Sequence, residues 1–378
     1  MDKFLTWALC ISVVLAMFGM AEASRRRGRV QTVAAATTTT SAASTTTTTV
    51  GGPPIRRRYV DPDAVGGTYN GLTEATAYQT LSAAETAEQG DITAATGSNE
   101  RVEFVCFSSG VTHDTTIADF AGWTTSGANY VSVTAATDDR YKGATYSGAK
   151  YVFAVTNTYG IRSDIDFFRM DGIQIKAETS GGNAYAIYAN IVATANYHRY
   201  SNMLFWCSDC TGTARAYGIR NAEPNLNADI YNNVFSDFVS GTDADFLGII
   251  TDGNEINIWN NTFYNNFYGV LENGSGTYNL TNNASFGNAE VGSADFSGTY
   301  NSITYCATDD SYGGTGNFQI TQTASNYAAL VTDAPGGDFS ITDASSALQN
   351  MGTDSVTPTD VTGSPRISPH DIGAFELQ

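Results

Sequence analysis

The segment Ile230-Tyr231-Asn232-Asn233-Val234-Phe235 returns as Ile258-Trp259-Asn260-Asn261-Thr262-Phe263. It returns again, more loosely, as Leu280-Thr281-Asn282-Asn283-Ala284-Ser285. Each copy is a β-rich run broken by an Asn pair. Asn suits a tight bend because it tolerates left-handed backbone geometry and its amide bonds nearby backbone. Copies stacked in register place Asn over Asn, in an amide ladder of the kind seen in stacked strands. The starts at 230, 258 and 280 are 28 and 22 residues apart. That period fits one turn of a solenoid and is too irregular for a propeller blade.

A second marker lies between the pairs: Ala216-Tyr217-Gly218-Ile219, Phe246-Leu247-Gly248-Ile249 and Phe267-Tyr268-Gly269-Val270. Two strand segments per turn, separated by bends, describe a parallel β-helix whose coils pair in parallel and stack apolar side chains inside. Short strands begin at Val102–Phe107, continue through Tyr130–Val133 and Tyr151–Val155, and run to about residue 306. No amphipathic helical run interrupts them, which excludes a doubly wound α/β fold. The best helix candidate is Thr80–Gln89, with Thr80 as its cap and Gly90 as its stop. A helix there covers the open end that a solenoid must protect.

The ends of the chain have other compositions. Residues 1–23 read as an export signal: Lys3, an apolar run to Met20, and Ala21-Glu22-Ala23 before Ser24. An uncleaved membrane anchor is the alternative, and Arg25-Arg26-Arg27-Gly28-Arg29 opposes ordinary export. Residues 24–58 form a Thr-rich linker, a disordered spacer or an O-glycosylated stalk. The domain reading is then a β-helix over 59–335 and a C-terminal capping module over 336–378.

The net charge is −19, and charged residues make up only 15% of the chain. Nucleic acid is excluded as a partner, because phosphate binding needs a concentrated Lys/Arg footprint. The same charge opposes direct capture of a polyanionic sugar, and calls for a cation bridge or a neutral glycan. Cys207 and Cys210 form a C-x-x-C without further paired ligands for zinc. They read as buried small residues or a local disulfide, with Cys106 and Cys306 unassigned.

The chain resembles the secreted right-handed parallel β-helix proteins of the pectate-lyase-like superfamily. The resemblance rests on Tyr59-Val60-Asp61-Pro62-Asp63 with Ala83-Ala84, on the Asn-pair coils, and on the ending. That ending runs through Asp338-Phe339-Ser340-Ile341, Gly363-Ser364-Pro365-Arg366 and Asp371-Ile372-Gly373-Ala374-Phe375-Glu376. The last segment is similar to a terminal module of bacterial surface β-helix proteins. The resemblance implies the right-handed fold over about 59–378. It leaves activity open, because one scaffold hosts lyases, hydrolases, adhesins and phage spikes.

Two constellations are candidates for chemistry. Counting four residues past each bend puts Lys176, Trp206, Asp237 and Asn265 in one outward row. A Trp face beside hydrogen-bonding groups suits a sugar. The acidic coil contains Asp243 and Asp245, with Arg220 nearby. These three are the catalytic candidates, because paired carboxylates serve glycoside hydrolysis and a strong base serves a lyase. Asp237, Asp243 and Asp245 can alternatively hold Ca²⁺. Arg220 and Asp252 are placed to form a salt bridge between coils. His113, His198 and His370 are scattered, and the Gly-His-Gly of polygalacturonase-like hydrolases is absent. Asn260, Asn273, Asn279 and Asn283 begin Asn-x-Ser/Thr sequons. The expected role is binding of extracellular polysaccharide by a secreted or surface-displayed protein, with cleavage as a lyase or glycoside hydrolase left open. The competing class is a non-catalytic adhesin or structural rod.

Overall fold

The computed structural model describes residues 52–143, 146–191, 196–210, 214–239, 246–288, 295–320, 327, 329–341, 346–354 and 357–377, all within the compact unit Gly51–Gln378. The expected export signal, residues 1–23, and most of the expected linker, residues 24–58, lie outside the described residues.

Strand alternation builds the core. In Arg101–Cys106, Val102, Phe104 and Cys106 are fully buried, while Arg101, Glu103 and Val105 face outward. The same alternation repeats in three sheets whose strands all pair in parallel. The first has nine strands, from Ile55–Val60 to Ser302–Thr304. The second has eight, from Val152–Thr156 to Phe318–Gln319, and the third has seven, from Ala118–Phe120 to Phe296–Ser297. Each sheet takes one strand per coil, the arrangement of a right-handed parallel β-helix. Inside, like side chains stack: Phe205, Phe235 and Phe263 lie with ring centroids 4.6 Å and 5.0 Å apart, nearly coplanar in orientation. Burying each such ring contributes roughly 1.5–3 kcal/mol.

The two residues of each Asn pair have different jobs. Asn232, Asn260 and Asn282 adopt φ of 55°, 52° and 56° and make the bend. Asn233, Asn261 and Asn283 are fully buried and form the ladder. Asn233 Nδ2 donates to Asn261 Oδ1 at 3.0 Å, and Asn261 Nδ2 to Asn283 Oδ1 at 3.1 Å. Their amides also satisfy inner carbonyls of Tyr200, Ile230 and Ile258. A second bend follows the second sheet, with Asp237, Asn265 and Gly287 at positive φ. Behind it Asn266 is fully buried, and its backbone N–H donates to Asn288 Oδ1 at 2.9 Å.

The predicted helix forms as Leu81–Glu88. The Thr80 side chain accepts from Ala83 N at 3.1 Å, and Leu81 and Ala84 pack into the first coils. The linker boundary at 58 moves back, because Ile55–Val60 is the first strand of the first sheet. Its arginines are held from two sides: Arg56 and Arg58 reach Glu88 of the helix at 2.9 Å and 2.5 Å, and Arg57 reaches Glu103 of the next strand at 2.6 Å.

The C-terminal segment, expected as a capping module, packs along the side of the coils. It runs back along the bend of the Asn pairs and over the second sheet. Asn282 Nδ2 donates to Thr353 O at 2.7 Å, Asn260 Nδ2 to Thr357 Oγ1, and Asn232 Nδ2 to Thr359 O at 2.7 Å. Arg366 pairs with Glu376 at 3.2 Å and also donates to Asn232 Oδ1 at 3.0 Å. Phe339, Leu348, Ile372 and Phe375 join Trp206, Val234 and Phe286 in one apolar cluster. Gly143, at φ 84°, leaves room for the Phe375 ring. Cys207 and Cys210 form a disulfide across an irregularity in strand register, so the local-disulfide reading is the observed one. Cys106 and Cys306 are free and buried.

Candidate functional site

The expected row Lys176, Trp206, Asp237, Asn265 divides in two. Lys176 and Trp206 are register partners, but Trp206 pairs with Ser236, and Ser236 with Tyr264. Asp237 and Asn265 belong to the following bend, where Asn265 Nδ2 donates to Asp237 Oδ1 at 2.7 Å. The one-residue slip has a physical source. Asn202, at φ 56°, is equivalent to the bend-forming Asn232 and not to the ladder-forming Asn233. Such a slip moves side chains between faces. Trp206 is 8% exposed and packs on Tyr146 with ring centroids 4.2 Å apart, and Lys176 pairs with Glu178.

Asp243 and Asp245 lie outside the described residues, and so does the proposed Ca²⁺ set that they form with Asp237. Arg220 is on the third sheet, 5.6–5.9 Å above the rings of Tyr185, Tyr188 and Tyr217. The expected bridge to Asp252 is absent. Register places Arg220 opposite Ile250, and Asp252 accepts from Asn273 Nδ2 at 2.7 Å. Arg220 and Trp206 therefore stand on different sheets. Of the sequons, Asn260 and Asn283 are buried in the two Asn rows, whereas Asn273 is exposed.

The described residues form a different site on the outer face of the first sheet. Its central row runs Ser132, Arg169, Arg199, Asp229, Asn257, Asn279, one residue per coil. Adjacent strands lie about 4.8 Å apart, so Arg169 to Asp229 covers about 10 Å. The row just before the bend carries Asp171, Ser201, Tyr231 and Trp259. Tyr231 and Trp259 are half-buried, with centroids 6.3 Å apart and planes tilted by 34°. Together with Arg199, Asp229, Thr357 and Pro358 they line a hollow of about 370 Å³. Arg199 lies 3.7 Å from Asp229 and 6.0 Å from the Tyr231 ring, and its Nε is buried without a hydrogen-bond partner. Arg169 stacks 3.5 Å over Tyr130, which also takes a hydrogen bond from Arg101. Burial and the neighbouring Arg199 act to lower the Arg169 pKa, while Tyr130 opposes them. Asp229 is held in place by Tyr197 Oη and by Asn257 Nδ2, the latter at 3.3 Å.

An acidic protein thus concentrates arginines on one strip, which net charge alone did not reveal. The signal was present in the repeat. Tyr231 and Trp259 are the residues immediately before the Asn pairs, so the bend that fixes the coil also fixes two aromatic rings.

A second group that sequence reading gave no role is Asp295, Asp309 and Asp310. All three are buried, with carboxylate oxygens within 4.8 Å of one another. Such a set can hold a hard divalent cation such as Ca²⁺. Local donors compete for it. Asp295 accepts from Ser285 and Asn288 at 2.7 Å, and Asp309 from Gly287 N and Tyr327 Oη at 2.7 Å. Burial, with Asp309 alongside, pushes the Asp295 carboxyl well above the usual range. His198 is a core residue: its ring nitrogens contact Tyr200 Oη at 2.7 Å and Ile165 O at 2.8 Å, and burial lowers its pKa to about 4.

No family model and no curated protein matches this chain. Among solved structures it is similar to the crystal structure of pectate lyase Pel9A, at 15% identity and a TM-score of 0.36, covering 86% of this chain and 98% of that one. A likeness that loose carries no argument about the site, and the fold rests on the strand register described above.

Proposed function

We propose that the protein binds extracellular polysaccharide along the outer face of its first sheet. The observation that carries this reading is the pairing of Tyr231 and Trp259 with Arg199 and Asp229 around one open hollow. Aromatic faces pack against the apolar faces of sugar rings, while the arginines and carboxylate bond hydroxyl or acidic groups. The repeat of one residue per coil suits a polymer, because each coil adds an outward polar or aromatic side chain one strand spacing further on. Arg169, which makes no ion pair among the described residues, stands beside Arg199 and favours a glycan with acidic groups. Export through the leader and display on the Thr-rich linker complete the reading.

Binding without cleavage is the form that these residues favour, since glycoside hydrolysis uses two carboxylates and the described hollow contains Asp229. Lyase or hydrolase activity would instead draw on Asp243 and Asp245. The test is a glycan array with and without Ca²⁺, using the full chain, Trp259→Ala and Arg199→Met. The expected result is retention of an extracellular glycan, reduced at least tenfold in both variants. Undiminished retention in both overturns the groove. Product release that disappears in Asp243→Ala or Asp245→Ala would make the protein an enzyme.

A further inference from the structure

A second hollow, of about 260 Å³, lies on the second sheet beneath the C-terminal segment. Trp206, Tyr146 and Leu204 form its apolar wall, Ser236 and Asp237 its polar side, and Pro335-Gly336-Gly337 its roof. It is separate from the groove, which belongs to the first sheet. The roof explains why the space is left. Gly337 turns the chain at φ 81°, and a Cβ on Gly336 would overlap the Asp333 carboxylate. Two residues without side chains therefore stand across from an indole ring.

The polar side is built, not incidental. Asp237 occupies a left-handed bend that Asn265 supports from the next coil, with a 2.7 Å bond to one carboxylate oxygen. Tyr146 is fixed from behind by His113, whose Nε2 lies 2.9 Å from Tyr146 Oη. An aromatic wall facing one anchored carboxylate is the chemistry that recognises a single sugar ring. The ring's apolar face packs along the edge of the indole and the half-buried phenol that line the hollow, and its hydroxyls donate to the carboxylate. Drug-sized pockets run to roughly 300–1,000 Å³, so this hollow takes one ring and not a chain. Burial also raises the Asp237 carboxyl above its usual range, against its hydrogen bonds from Asn265 and Ser236, in keeping with a site that shields its acceptor from water.

The geometry points to a single-pyranose pocket formed by Trp206, Tyr146 and Asp237 under the Pro335–Gly337 turn. It is independent of the groove and takes a neutral terminal sugar or free monosaccharide. The pocket does not depend on the groove reading, and its test separates the two. Methyl pyranosides of glucose, galactose and mannose are titrated into the full chain and followed by saturation-transfer NMR and calorimetry. The expected result is weak binding, around millimolar, of at least one glycoside. That binding is unchanged in Trp259→Ala and reduced tenfold or more in Asp237→Asn. Asp237→Asn keeps the bend, because Asn tolerates positive φ. Trp206→Phe, which keeps a packed ring, weakens the same binding and serves if Asp237→Asn does not fold. Absence of binding by the native chain overturns the pocket. So does binding lost in Trp259→Ala, or binding that survives both pocket variants.

Discussion

Trp206 and Trp259 stand on the outer faces of different sheets of one coil stack and meet opposite fates. Trp206 is 8% exposed, locked against Tyr146 within the cluster that the C-terminal segment completes. Trp259 is half-buried at the edge of an open hollow. The rows around them account for the difference. On the second sheet the row through Trp206 passes the small, buried Ser236 to Tyr264 and Phe286, and Tyr264 meets Phe339 at 5.5 Å. An apolar row of that kind draws a cover over itself. On the first sheet the row beside Trp259 reads Arg169, Arg199, Asp229, Asn257, Asn279, and burying those groups would cost more than it returned. One repeat thus builds both a docking face for its own chain and a face left to solvent.

The sharpest way to break that comparison is to make the same substitution on both faces. Trp206→Ala should cost about 3–5 kcal/mol in urea unfolding, as for a core ring. Trp259→Ala should cost under about 1 kcal/mol and show its effect in glycan retention. Equal stability losses would mean that the first face is also structural. A comparable loss is expected from Arg366→Met. Arg366 is fully buried and pairs with Glu376, so removing it strands a buried carboxylate, at about 3–5 kcal/mol. Limited proteolysis should then release the segment after residue 346 and uncover the second face, leaving the first sheet intact. Protection equal to the native chain would show that the cover holds without this pair.

The smallest effect concerns the core that both faces share. His198 has its pKa lowered from 6.5 to about 4. The unfolded chain therefore takes up the proton first. The stability that this residue contributes is full above about pH 6.5 and is lost as pH falls toward 4, up to about 3 kcal/mol. Asp295 works in the opposite direction, since a raised carboxyl favours the fold as pH falls. The histidine contribution is therefore read as the difference between the native chain and His198→Gln across that range. Parallel pH profiles for the two proteins would show that His198 does not titrate in this way.

Much of the scaffold was legible because a ladder leaves a periodic mark. The Asn pairs at 232/233, 260/261 and 282/283 gave the coil, and Thr80 gave the start of the helix. The site was less legible. Asn202 and Gly172 carry the bend without a second Asn, so counting from them cannot tell a bend position from a ladder position. That one ambiguity separated Trp206 from Asp237 in register, although the pocket brings both to one hollow. Arg220 stands on the third sheet, against tyrosines and opposite Ile250, because offsets along the chain do not say which sheet a residue faces.

By itself the sequence determined the repeat, its bends and the alternation of inward and outward residues, since these follow from local backbone preference and side-chain period. Only the tertiary structure decided which outward rows are surfaces. The C-terminal segment covers one sheet and skirts another, and contacts such as Arg366 with Asn232 join residues 134 positions apart. No local preference encodes a contact of that range. It forms because buried polar groups and apolar rows must be satisfied together in the folded chain.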